Sequence, residues 1–198
     1  MAQPILPTPS IGGVGLIEDF TKSATLAFKR PDETILLVGE TTGWLGQSIY
    51  LRDICGREDG APPPVDLTEE RENGDFVRSL VLDGVATAVH DLSDGGLLIG
   101  LAEMAIASGI GATLEAAPTD IPAHAHWFGE DQARYLVTVP AGKVEAVLTR
   151  ARDANVPVWI IGKTGGDTLT LPGDRPILVT ILRERFEAWL PAFMAGKR

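Results

Sequence analysis

Apolar and polar positions along the chain follow two periods, and these predict the elements. Residues 34–38 (TILLV) form a continuous apolar run, the mark of a strand covered on both faces. Leu45, Ile49 and the Tyr50/Asp53/Ile54 turn fall at helical spacing and predict a helix over 45–54. A second helix opens at Asp66, an N-cap with Glu69 three residues on. Phe76, Val77, Leu80 and Val81 give its buried face, and Glu69, Glu70, Glu72 and Asp75 read as its solvated one. Residues 85–89 predict a strand. Residues 94–108 predict a helix apolar nearly all round, hence buried on more than one side, with Gly109 as its stop. Further on, strands are predicted at 111–114, 135–139 and 158–161, and a helix at 143–153. An irregular connector is expected over 118–126 and a turn over 162–167. A hairpin is predicted from 168–171 and 176–181 around Pro172-Gly173-Asp174, then a closing helix from 183 that Pro191 kinks or ends.

Residues 3–10 hold three prolines and start neither a helix nor a central strand. They read as a linker or an edge extension, with the expectation of a segment preceding them. Glycine-rich residues 11–17 (IGGVGLI) predict a short strand in close backbone contact, and residues 25–28 another. The organisation expected is a lead-in and edge strand over 1–23 and a single domain over 24–198. Alternating strands and helices give an α+β (α/β layered) fold: a mixed β-sheet with helices packed on it, parallel where a helix intervenes and antiparallel at the terminal hairpin.

Composition narrows the functions open to such a fold. The net charge is −10, from 17 basic and 27 acidic residues, so no basic stripe is present to release counterions from a nucleic acid. Phosphates stay possible as ligands, since backbone amides and metal ions hold them in acidic proteins. The one cysteine, Cys55, precludes an internal disulfide and fits a reducing cytoplasm; it reads as a small buried hydrophobe at a helix end. No apolar run reaches the length of a membrane span, and the N-terminus lacks the basic-then-apolar pattern of a signal peptide.

Three polar clusters fall at strand ends: 39–48, 90–96 and 129–134. In open sheets ligands gather at the carboxyl ends of strands. The first two clusters sit at such ends. The third precedes its strand, so it meets them if that strand runs antiparallel or its loop reaches over. The middle cluster, His90-Asp91-Leu92-Ser93-Asp94-Gly95-Gly96-Leu97, is the richest. Asp91 and Asp94 are candidate Mg²⁺ ligands, Ser93 a helix cap or phosphate contact, and Gly95 and Gly96 permit close backbone approach at a helix N-terminus. Two readings stay open on spacing alone: a phosphate–metal site, or a turn in which Ser93 and Asp94 cap the helix and Asp91 closes it. His90 ends a buried strand and reads as packed and hydrogen-bonded. His124 and His126, two apart, lack a third metal ligand. No P-loop, Rossmann fingerprint or readable catalytic triad is present, so no catalytic residue is assigned.

Four segments in order carry a resemblance: PILPTPSIGGVGLI, LLVGETTGWLGQSIYL, HDLSDGGLLIGLAEMAIASGIGATLE and FGEDQARYLV. Together they resemble the last part of the phosphoribosylformylglycinamidine synthase (formylglycinamide ribonucleotide amidotransferase) family, related to aminoimidazole ribonucleotide synthetase. The resemblance implies a synthetase C-terminal-like domain of a larger ligase. That ligase converts formylglycinamide ribonucleotide, glutamine and ATP to formylglycinamidine ribonucleotide in purine biosynthesis. It further implies that this chain supplies one wall of a nucleotide–Mg²⁺ site and is inactive alone. ATP or ADP and Mg²⁺ are the implied cofactors. Asp91 is the implied metal ligand, Ser93, Asp94, Gly95 and Gly96 the nucleotide contacts, and Glu130 and Gln132 a substrate-like pseudo-site. Partners implied are the remaining domains of the synthetase, a glutaminase subunit and a small bridging subunit, in the cytoplasm, with no nucleic acid or membrane. A ligand-free structural or interaction domain of the same fold is the alternative. Two residues depart from the family pattern. Gln47 replaces a glycine, which works against close phosphate approach, and Asp131 replaces the central serine of the Glu-Ser-Gln segment.

Overall fold

The computed structural model describes residues 10–118 and 120–196. Most of the proline-rich lead-in therefore lies outside the described residues. Strands are β1 (Glu33–Val38), β2 (Ala88–Asp91), β3 (Ala112–Leu114), β4 (Tyr135–Pro140), β5 (Val158–Thr164), β6 (Thr168–Thr170) and β7 (Ile177–Leu178). Helices are α1 (Leu67–Leu82), α2 (Gly96–Ser108), α3 (Ala123–Phe128), α4 (Val144–Asp153) and α5 (Val179–Met194). The strands form one mixed seven-stranded sheet in the order β2-β4-β1-β5-β3-β6-β7.

β1 shows why the sheet has helices on both faces. Its side chains alternate, so Ile35 and Leu37 join one core, with Phe28, Leu97, Leu101, Met104 and Trp127, under α2 and α3. Leu36 and Val38 join the other, with Phe76, Val77 and Leu80 of α1 and Val144 and Val147 of α4. Every β1 residue is buried, as a doubly covered strand requires. Helix α1 is capped as expected: the Asp66 carboxylate accepts from the N–H groups of Thr68 and Glu69. Gly109, in the left-handed conformation, closes α2. The β6–β7 hairpin forms, but its second strand is only Ile177–Leu178, and residues 179–181 open α5 instead of continuing it.

Several expectations are corrected. Parallel pairing is confined to β3–β6 among the strands; β4 is antiparallel to both β1 and β2, and β5 is antiparallel to β1 and β3. The intervening helices thus connect strands that are not neighbours. Residues 11–17 form no strand and stand exposed, Val14 and Leu16 fully so. Of residues 25–28, one bridge survives, Thr25 to Ala88. The strand expected at 85–89 starts at Ala88, so His90 and Asp91 belong to it. The 118–126 connector ends in α3, β5 continues through the expected turn to Thr164, and α5 runs through Pro191 to Met194. The 45–54 helix shrinks to one π-helical turn, Tyr50–Ile54, and Cys55 beyond it is exposed. Competing partners take part of this backbone: the Ile49 N–H goes to Glu130, more than eighty residues away, and the Gln47 N–H to the Asp59 carbonyl.

Candidate functional site

Antiparallel β4 decides the layout. Its first residue, Tyr135, pairs with Val38 at the carboxyl end of β1 and with Asp91 at the carboxyl end of β2. The loop before β4 thus lands among the turns after β1 and β2, and all three polar clusters share one sheet edge.

Two acids of that loop hold the other two turns. One oxygen of Glu130 accepts from the backbone N–H of Ile49 and of Gly95, both at 2.8 Å. Asp131 accepts from the N–H groups of Thr42, Gly43 and Trp44 and from the Thr42 hydroxyl. The Glu130 bond takes the Ile49 N–H, which a helix over 45–54 would direct to the Leu45 carbonyl, while Asp131 fixes the turn just before it. Both carboxylates are buried, and the charge that balances them is Arg134, 1% exposed. Its guanidinium donates to the carbonyls of Gly129 and Asp131 and to the Thr41 hydroxyl, and lies 3.8 Å from the Asp131 carboxylate. Burial lowers the Arg134 pKa, opposed by Asp131 and Glu130. Ala133 takes a left-handed φ of 57°, and α1 grips it on both sides: Glu70 accepts from its N–H and Asn73 donates to its C=O. Glu70 is therefore a clamp rather than part of a solvated face. Burial raises the Tyr135 pKa, helped by Glu70 and Asp91.

On this frame the motif after β2 is presented outward. The Asp91 side chain is 75% exposed, and Ser93 and Asp94 are exposed beside it. Neither Ser93 nor Asp94 caps α2. The N-cap is Gly95, with φ 79°, and no side chain of its own caps the helix. Gly96 follows with φ 67°, its missing Cβ leaving room for the Gly129 carbonyl. Both glycines are buried, and the Gly95 N–H is taken by Glu130, so that group does not point outward. His90 is packed as expected, its Nε2 2.8 Å from Glu103 and its Nδ1 3.5 Å from Asp91.

Of the substrate-like pair, Glu130 turns inward as described, and Gln132 folds back so that its amide donates to the Glu130 carbonyl. A cleft of about 280 Å³ lies between the first two turns, lined by Gln47, Ser48, Arg52, Glu58, Asp94 and Glu130. Gln47 has φ 59°, a conformation that favours glycine, and its amide donates to the carbonyls of Glu58 and Gly60. Those bonds, with Asp59 C=O accepting from the Gln47 N–H, hold the residue that departs from the family glycine.

Among the described residues no group of three His, Cys, Asp or Glu side chains is gathered to hold a metal ion. His124 and His126 separate on α3: His124 stacks on Tyr50, while His126 packs edge-on against Trp127. Asp91 with exposed Asp94 and Ser93 fits a Mg²⁺ ion held chiefly by phosphate oxygens and by groups outside this chain, since such an ion takes only one or two carboxylates. Sequence reasoning missed the internal roles of Glu130, Asp131, Arg134, Glu70 and Asn73. Its one available signal was two adjacent acids and an arginine directly before a wholly apolar strand.

Comparison with known proteins places this geometry. The family model described as AIR synthase related protein, C-terminal domain, matches residues 30–171. The phosphoribosylformylglycinamidine synthase subunit PurL of Bradyrhizobium diazoefficiens is 66% identical over 193 residues, which is 98% of this chain and 26% of that protein. The same subunit from Rhodopseudomonas palustris gives the same identity and coverage. The chain thus spans about a quarter of the length of the curated relatives it matches. Thermotoga maritima PurL complexed with FGAR superposes with a TM-score of 0.70 at 19% identity, over 83% of this chain and 30% of that one. Its complex with ATP gives 0.65 at 18%, over 83% and 28%; structures with ADP and of an assembly named PurLQS also match. A thiamine-monophosphate kinase from Stenotrophomonas maltophilia shares the fold more distantly, with a TM-score of 0.52 at 20% identity over 77% of this chain and 54% of that one. By the family model, which covers most of its length and all the clusters at the sheet edge, the chain belongs to the AIR synthase related protein C-terminal domain family.

Proposed function

We propose that this chain is the C-terminal domain of a phosphoribosylformylglycinamidine synthase synthetase subunit. In that role it is inactive alone and contributes one wall of a nucleotide–Mg²⁺ site to an enzyme that forms formylglycinamidine ribonucleotide from formylglycinamide ribonucleotide, glutamine and ATP. The observation that carries the reading is the exposed Asp91 carboxylate at the end of β2, flanked by the free side chains of Ser93 and Asp94. Asp91 would ligate Mg²⁺, and Ser93 with Asp94 would face the nucleotide, while Gly95 and Gly96, expected as nucleotide contacts, are buried and instead shape the turn that presents them. The ion's chemistry is to neutralise phosphate charge and fix the nucleotide's orientation. Support comes from the names of the relatives and from neighbours solved with ATP and ADP.

Partners in this reading are the other domains of the synthetase, a glutaminase subunit and a small bridging subunit, for which the PurLQS neighbour is the support. Exposed apolar side chains agree with burial against further domains: Phe20 in the lead-in, and Phe186, Trp189 and Phe193 on α5. Among the described residues no helix is long and apolar enough to cross a membrane, in keeping with the cytoplasmic site expected of such an enzyme.

One observation favours a ligand-free structural domain instead: the Gly95 N–H already has an internal anion, Glu130. Calorimetry of ADP–Mg²⁺ binding to the whole subunit separates the two. Asp91→Asn should weaken binding about tenfold or more, as expected for loss of a charged metal ligand. Unchanged binding assigns Asp91 to the structural reading.

A further inference from the structure

A second cavity opens on the β1–β5 side of the same sheet edge and shares no lining residue with the cleft at Ser48 and Asp94. Its volume is about 350 Å³, within the range of small-ligand pockets. Buried Leu37, Trp127 and Ile161 supply apolar wall, and the indole of Trp159, 55% exposed, stands at the solvent side. The carboxylates around it give it one sign of charge. Glu40, Glu115 and Asp120 all line the cavity, are exposed, and have no ion-pair partner among the described residues. Among the described residues no lysine or arginine lines it. The buried Arg134 is engaged by Asp131, Gly129 and Thr41.

Of the other polar lining groups, the Thr41 hydroxyl accepts from Arg134, and His126, 6% exposed, has a buried Nδ1 without a hydrogen-bond partner among the described residues. A buried polar atom without a partner is costly, and such atoms mark places where a ligand or solvent completes the bonding. An anion would meet three carboxylates, so phosphates and nucleotides are disfavoured. A flat cation gains from those carboxylates, from the apolar floor, and from the Trp159 face.

We propose that this cavity is a binding site for a small planar organic cation of the amidine or guanidine class. The ligand would lie between Trp159 and the Trp127–Ile161 wall, its N–H groups directed to Glu115 and Asp120. The site is separate from the nucleotide–Mg²⁺ wall proposed above and does not depend on it.

Three probes of one shape and different charge test it on the chain by calorimetry: benzamidinium, benzamide and benzoate. Benzamidinium should bind, benzamide more weakly, and benzoate not at all. Glu115→Gln with Asp120→Asn should weaken benzamidinium about fivefold to tenfold while leaving benzamide unchanged, as expected when two partly solvated charge contacts are lost. Trp159→Ala, at a position 55% exposed, should weaken both. Equal binding of the three probes overturns the proposal, as does benzamidinium binding unaffected by the charge-removing pair, or no binding by any probe.

Discussion

Removing the Glu130 carboxylate should loosen two turns at once. Its single oxygen holds Ile49 and Gly95 at 2.8 Å each, and Gly95 is buried at the start of α2. A hydrogen bond to a charged group contributes roughly 1.5–3 kcal/mol and a neutral one about 0.5–1.5 kcal/mol. Glu130→Gln keeps an acceptor in place and loses only the charge, so it should cost about 2 kcal/mol over both bonds. Glu130→Ala leaves a buried N–H without a partner and removes the anion facing the positive end of α2. It should cost about 3–5 kcal/mol. Urea denaturation measures the loss. Native-state hydrogen exchange localises it, with protection falling at Ile49 and Gly95 ahead of the β1 amides. If Glu130→Gln is as damaging as Glu130→Ala, or if both amides keep wild-type protection in the alanine variant, the keystone role of Glu130 is wrong.

Two further outcomes follow from the same region. Gly96→Ala places a Cβ 2.3 Å from the Gly129 carbonyl oxygen at a left-handed φ of 67°; strain and backbone clash together should destabilise by about 3 kcal/mol or more, read as a drop in the urea midpoint at unchanged slope. His126 has its pKa lowered, first by burial and then by Arg134. The unfolded chain takes up this proton near its ordinary pKa of about 6.5 while the folded chain resists it, so stability should fall as pH drops from about 6.5 toward the lower folded value. His126→Phe should abolish that part of the slope, whatever its offset, and a denaturation series from pH 7.5 to 5.5 that is parallel for the two proteins would refute the burial effect.

The sequence was most informative where a single local cause decides structure. Residues 34–38 are apolar at every position because β1 feeds two cores, and Asp66 caps α1 through bonds two and three residues away. It failed at 45–54, whose helical spacing is genuine. The competing acceptor there, Glu130, lies 81 positions along the chain from Ile49, and no periodicity reports a partner at that distance. Strand direction was likewise hidden. The condition that β4 run antiparallel for the three clusters to meet was readable from the order of loop and strand, but its fulfilment is set by pairing across the whole sheet.

The same distance effect limits what the His90–Gly96 motif says by itself. A strand that hands over to a helix through two left-handed glycines leaves the helix N-terminus in need of an anion, and the motif reads the same whether that anion is a ligand phosphate or an internal carboxylate. Here Glu130, 35 positions away, supplies it to Gly95. What the motif still offers a ligand is therefore its side chains rather than its helix end: Asp91 for a cation, Ser93 and Asp94 beside it. If the domain takes part in a nucleotide site as proposed, the rest of that site must come from elsewhere, and nucleotide affinity should depend on Asp91 far more than on the N–H groups of α2.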